Sequence, residues 1–165
     1  METEYSINED DCVKSAKLGA TATRKQLVRF GYVGFGLLLL GVFGPGSMKG
    51  VGYFGIAGTI LGYLLTVHVI CPWQARKNFR NYKGIQKPLK LRLIQNGFTI
   101  KTQNGVSNAK WENLLKWRES KDIILVYFAP KMYYLIPKRI SDKGFDIESF
   151  RQLLREKLGA AETTL

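Results

Sequence analysis

The chain is 165 residues long and has a single histidine, His68, and two cysteines, Cys12 and Cys71. That histidine lies three residues from the end of an apolar run, where it reads as buried or interfacial and not as the base of a catalytic triad, and with two distant cysteines it makes no zinc ligand set and no disulfide framework. Acidic residues are missing from the whole middle of the chain, with none between Asp11 and Glu112. Seven of the eight in the C-terminal half (Glu112, Glu119, Asp122, Asp142, Asp146, Glu148 and Glu156) fall at turns, caps and a helix surface, where solvation or capping accounts for them. Gly31, Gly34 and Gly36 neither follow a strand nor open a helix onto a phosphate, so they are not a phosphate loop. No catalytic, cofactor-binding or metal-binding residue emerges, and enzymatic activity is not expected.

What is present instead is apolar length. Leu27 to Phe43 is a 17-residue segment holding only Arg29, which can snorkel from its start. Val51 to Cys71 is 21 residues without a charge, and as a helix it rises roughly 30 Å, the thickness of a bilayer's hydrocarbon core. Between them lies Gly44-Pro45-Gly46-Ser47-Met48-Lys49-Gly50, read as a loop. The pair is a transmembrane hairpin by this pattern; a buried helical hairpin of a soluble core is the alternative. Gly34 and Gly41 on the first segment and Gly55, Gly58 and Gly62 on the second are the expected helix-packing positions, within the hairpin or across a homodimer. The first apolar run begins only at residue 27, behind an acidic start, so a cleavable signal peptide is not expected.

The net charge of +12 is placed by the same pattern. Lys14, Lys17, Arg24, Lys25 and Arg29 flank the first segment on one side, and Arg76, Lys77, Arg80, Lys83, Lys87, Lys90 and Arg92 follow the second. Only Lys49 lies in the connection. The positive-inside rule then puts both termini in the cytoplasm of a multi-pass inner-membrane protein. With the charge accounted for by topology and anionic headgroups, no nucleic-acid partner is expected. Two groups of cations are candidates for binding anionic lipid or a protein partner. Arg76, Lys77 and Arg80 sit just beyond the second segment and its exit pair Pro72-Trp73; Lys131, Lys138, Arg139 and Lys143 surround the last expected strand. A membrane anchor and a solvated strand edge are their plainer readings.

Flanking segments divide the rest. Residues 1–26 carry an alternating stretch, Glu2 to Ile7, then a capping box at Ser6 to Glu9 and an amphipathic helix to about Thr23. Residues 27–71 are the hairpin and 72–87 a basic linker. From Pro88 the period changes to two: Leu89, Leu91 and Leu93, then Asn96-Gly97 as a hairpin turn, then Phe98, Ile100 and Thr102, then Asn104-Gly105. Val106 to Trp111 and Leu114 to Glu119 continue the strands. Ile123 to Phe128 is continuously apolar and should be a central strand covered on both faces, with Met132 to Ile136 after it. Asp142 or Asp146 caps a final helix carrying Ile147, Phe150, Leu153, Leu154 and Leu158, stopped at Gly159, and this helix is the expected cover. The soluble domain spans 88–158 and a frayed tail 159–165.

The expected fold is thus a membrane α-helical hairpin plus an α+β soluble domain, an antiparallel β meander closed by a C-terminal helix, in outline pleckstrin-homology-like or GRAM-like. Asn96-Gly97-Phe98, Trp111 with Leu114-Leu115-Lys116, Tyr133 to Arg139 and Phe150 to Leu154 resemble the YcxB-like family of small bacterial membrane proteins. The resemblance implies two membrane helices and a cytoplasmic domain, and no catalytic residue or cofactor. Two functions fit: a domain held at the inner membrane surface to bind a protein or anionic lipid, or an immunity-like protective subunit acting through the hairpin.

Overall fold

The computed structural model describes residues 2–103 and 105–162. Its elements, in order, are β1 (Glu2–Tyr5), α1 (Glu9–Ala20), α2 (Arg24–Phe43), α3 (Gly46–Leu65), a π-helical turn (Thr66–Ile70), α4 (Cys71–Asn81), β2 (Leu89–Ile94), β3 (Gly97–Thr102), β4 (Gly105–Lys110), β5 (Lys116–Glu119), β6 (Ile123–Ala129), β7 (Met132–Pro137) and α5 (Ile147–Leu158). The α+β expectation holds: antiparallel strands, two apolar helices and a closing C-terminal helix.

The N-terminal segment is built into the β domain. β1 pairs antiparallel with β2, Tyr5 opposite Leu89 and Glu2 opposite Arg92, and the four-stranded sheet runs β1-β2-β3-β4. A second sheet runs β5-β6-β7. The chain therefore starts the β domain, leaves it through α1, crosses the hairpin and returns along α4 to finish it. α1 begins two residues later than the sequence suggested: Asn8, not Ser6, is the cap, accepting from the Asp11 amide at 2.8 Å while Asp11 accepts from the Asn8 amide at 2.9 Å. Asx side chains reach the third amide as well as serine does, so the choice between neighbouring caps is set by packing.

α2 and α3 are long and apolar enough to cross a membrane, and only 6% of each apolar window is buried inside the chain, where a soluble core helix would be mostly covered. The expected seven-residue loop is only Gly44-Pro45, because α3 starts at Gly46 with Pro45 as its N-cap. The second helix does not stop at Pro72. α3, the π turn and α4 form one continuous rod, and the wide turn lies immediately before the proline. Pro72 has no amide to donate and its ring crowds the carbonyl four residues back; the π turn, closed by Cys71 N–H to Thr66 O, absorbs that mismatch. Most of the expected linker is thus helix, packed along α1.

The β2–β3 turn is Gln95-Asn96, one residue earlier than the Asn-Gly signal, and Gly97 opens β3 opposite Lys110. Gly97 has φ +157°, and an added Cβ would lie 1.9 Å from the Ala109 carbonyl oxygen, so the glycine serves strand approach and not the turn. Of the expected Asn104-Gly105 turn, Asn104 lies outside the described residues. β6 is covered on both faces, as its unbroken apolar run requires. Ile124 and Val126 face the main core with Phe98, Trp111, Trp117, Phe150 and Leu154. Ile123, Leu125 and Tyr127 face the other way, onto Leu18 of α1. The cover on that second face is the N-terminal helix, while α5 fills the main core; both helices were needed and the sequence suggested one. Of the expected frayed tail, residues 163–165 lie outside the described residues; the Glu162 amide donates to Trp117 O at 2.9 Å and its carboxylate meets Lys116 Nζ at 2.8 Å.

Candidate functional site

The two cation groups end in different surroundings. In the C-terminal group, three of four are occupied within the fold. Arg139 donates to both oxygens of Asp11 at 2.5 and 2.6 Å and to Ser6 O at 2.8 Å. The Asp11 side chain is 3% exposed, so this pair fastens α1 to the end of β7. The Asp11 carboxylate holds the Arg139 guanidinium above its ordinary pKa. Lys138 meets Glu119 at 2.5 Å, and Arg151 meets the same carboxylate at 2.8 Å. Lys143 donates to the Glu4 carbonyl at 3.1 Å. Lys131, in the β6–β7 turn, is exposed, as Arg139 and Lys143 are, and of the four it alone has no ion pair or hydrogen bond among the described residues. Arg139, Lys138 and Lys143 thus make contacts within the fold, and Lys131 does not share them.

Arg76, Lys77 and Arg80 remain at the surface. α4 carries two stripes at positions i, i+3, i+4, i+7 and i+8. Cys71, Gln74, Ala75, Asn78 and Phe79 face the β domain; Trp73, Arg76, Lys77, Arg80 and Asn81 face away from it and line a shallow outer groove. Two residues of offset turn the second stripe about 200° from the first. Arg76 and Arg80 share Glu9, at 3.7 and 3.3 Å, yet their side chains stay 59% and 71% exposed. Lys77 lies 5.3 Å from the Trp73 ring centre, a cation–π distance. The outward stripe is therefore three cations and one indole, beginning within one turn of the apolar span.

Sequence reading missed the buried Arg118, which donates to the carbonyls of Gly19 at 3.2 Å and Thr21 at 2.8 Å. It caps the C-terminal end of α1, where carbonyls lack helical partners, and so fixes the connection into α2. A signal existed for the ion pairing: Glu2, Glu4, Glu9 and Asp11 lie before a basic span with no acids, and each meets a cation beyond residue 75.

The expected packing glycines divide too. Gly41 lies against Tyr53 and Gly55 against Leu37. A Cβ on Gly34, Gly58 or Gly62 would meet nothing within 4 Å, so these three do not form the α2–α3 seam. The closest approach is at Gly52, where an added Cβ would lie 2.5 Å from the Gly41 amide nitrogen and 2.6 Å from Leu37 O. Among the described residues no group of three or more His, Cys, Asp or Glu side chains is placed to hold a metal ion. No curated protein and no solved structure matches the chain. Residues 95–154, from the β2–β3 turn into α5, match the model of a family described as YcxB-like protein, the family that the sequence motifs resemble.

Proposed function

We propose that the chain is a bacterial inner-membrane protein, crossing twice with both termini cytoplasmic, that holds its β domain against the membrane and binds anionic lipid through the outward face of α4. The observation that carries this reading is the continuous rod α3–α4, which sets Trp73, Arg76, Lys77 and Arg80 directly beyond the apolar span. Each cation near an anionic surface contributes about 1 kcal/mol, and the indole suits the headgroup depth. The four-stranded and three-stranded sheets with a closing helix are why we read the domain as pleckstrin-homology-like. The interaction is the function, with no reaction assigned to it.

The test uses the full chain in nanodiscs of phosphatidylcholine with or without phosphatidylglycerol. The anionic lipid should raise the thermal midpoint, the rise should shrink at high salt, and Arg76→Ala with Lys77→Ala and Arg80→Ala should erase it. Equal midpoints in both lipids would reject the lipid reading and leave a protein partner. A second reading, a protective subunit meeting its partner or a second copy inside the bilayer, is favoured by the open Gly34, Gly58 and Gly62 positions. Retained function after exchange of the hairpin for an unrelated one of equal length would exclude it.

A further inference from the structure

The inward stripe of α4 leads to a different site. Between it, α1 and the two sheets lies a cavity of about 490 Å³, within the range of roughly 300–1,000 Å³ typical of small-molecule sites. In a chain of net charge +12, no charged side chain among the described residues lines it. Its walls are mainly apolar, with Ala16, Phe79, Ile85, Ile100 and Leu135 among them. Its neutral polar side chains include Gln74, Asn78 and Thr102 and two hydroxyl pairs: Tyr133 donates to Ser15 Oγ at 3.3 Å, and Ser107 and Tyr134 share a hydrogen bond of 2.9 Å. In the first pair Ser15 also donates to the Cys12 carbonyl at 2.9 Å, so that pair can still accept from a hydroxyl head; in the second only one of the two hydroxyl hydrogens is used, so the other can donate to a hydroxyl or ester head. Cys71, where the apolar span ends, also lines the cavity, which places one end of it beside the bilayer.

We propose that this cavity binds an uncharged amphiphile drawn from the adjacent leaflet: one hydrocarbon chain with a hydroxyl or ester head. The chain replaces water against the apolar walls, and the head exchanges hydrogen bonds with the Ser15–Tyr133 and Ser107–Tyr134 pairs. An anionic head is disfavoured, because entering the site strips its hydration and no cation is there to replace it. The cationic stripe cannot serve that head, since it lies on the opposite face of α4.

Cys71 is a built-in reporter. The full chain in phosphatidylcholine nanodiscs is treated with N-ethylmaleimide, and alkylation at Cys71 is followed by peptide mass spectrometry. 1-Monooleoylglycerol at about ten times its Kd should slow that alkylation about tenfold, the fraction of empty sites expected from mass action. Oleate at the same membrane concentration, at a pH where it is ionised, should not. Trp73→Cys, on the outward face, should react at the same rate with or without monooleoylglycerol. Ala16→Phe, which fills the cavity, should abolish the protection, and Ile85→Trp serves at the rim where that variant fails to fold. Absence of protection, equal protection by oleate, slowing at Trp73→Cys as well, or protection that survives a filled cavity would each overturn the proposal.

Discussion

The hairpin and the β domain are held together by different contacts, and a residue type means different things in each. In the hairpin, α2 and α3 meet where Gly41 and Gly52 bring backbones together, and most large side chains face outward, Phe43 and Phe54 at 80% exposure. In the β domain, aromatic rings interlock: Phe98 touches Trp111, Tyr134 and Phe150 at centroid separations of 5.3–5.9 Å. Cations join that core where they meet a covered carboxylate, as Arg139 does, or backbone carbonyls, as Arg118 does. A glycine is therefore structural in the hairpin only at the contact itself, and a cation is structural in the domain only where such an acceptor faces it. Regular spacing alone distinguishes neither.

The largest test of that contrast is Arg139. Removing its guanidinium leaves Asp11 buried with a charge and only the Asn8 amide as donor. Breaking a fully buried pair costs about 3–5 kcal/mol. Arg139 is 44% exposed, so water partly replaces it and we expect Arg139→Ala to lose about 2–3 kcal/mol, in line with hydrogen bonds to charged groups. The measurement is denaturant unfolding of the full chain in detergent, read from tryptophan fluorescence. Asp11→Asn in the same chain should recover part of the loss, because the uncompensated charge is gone. A loss below about 0.5 kcal/mol, the usual surface value, would return Arg139 to the free cations.

The second test lies in the hairpin. Gly52→Ile puts carbon atoms where the Gly41 backbone and Leu37 O already are, so the helices must separate; overpacking of this kind costs about 1–3 kcal/mol. Gly58→Ile and Gly62→Ile should leave the hairpin intact, since a Cβ at either meets open space. Cysteine cross-linking between α2 and α3 reports the separation. If Gly58→Ile loosened the pair as much as Gly52→Ile, the seam would run along the wrong face.

What the sequence made legible, and what it hid, follows the same division. The apolar spans, the period-two strands, the doubly covered β6 and the last helix with its Gly159 stop are local signals, since each rests on side-chain spacing within one element. The pairing of β1 with β2 crosses the whole hairpin, and nothing in six alternating residues says what they pair with. The role of α1 as cover for Ile123, Leu125 and Tyr127 is hidden for the same reason. Pro72 reads as a stop, because the π turn that carries the helix past it has no composition of its own. The Lys138-Arg139 pair reads as a site because its counter-charges, Glu119 and Asp11, lie 19 and 128 residues away.

The smallest expected effect separates an exposed acid from the buried Asp11. Asp146 caps α5, accepting from the Ser149 amide at 2.9 Å and from its hydroxyl, and these bonds, the hydroxyl first, hold its carboxyl below the ordinary carboxylate pKa. A depressed folded-state pKa means the ionised form is favoured by folding. Its contribution is complete above the unfolded-state value of about 3.9 and is lost as the pH falls through the lower folded value. Asp146→Asn keeps an acceptor for the amide but cannot titrate, so its stability should change less than that of the unaltered chain between pH 5 and about pH 3. α5 carries Phe150 and Leu154 into the core, so fluorescence of the buried Trp117 and Trp111 beside it reports the end of the cap. Identical acid profiles for the two chains would assign the cap's stabilisation to geometry and leave charge no part in it.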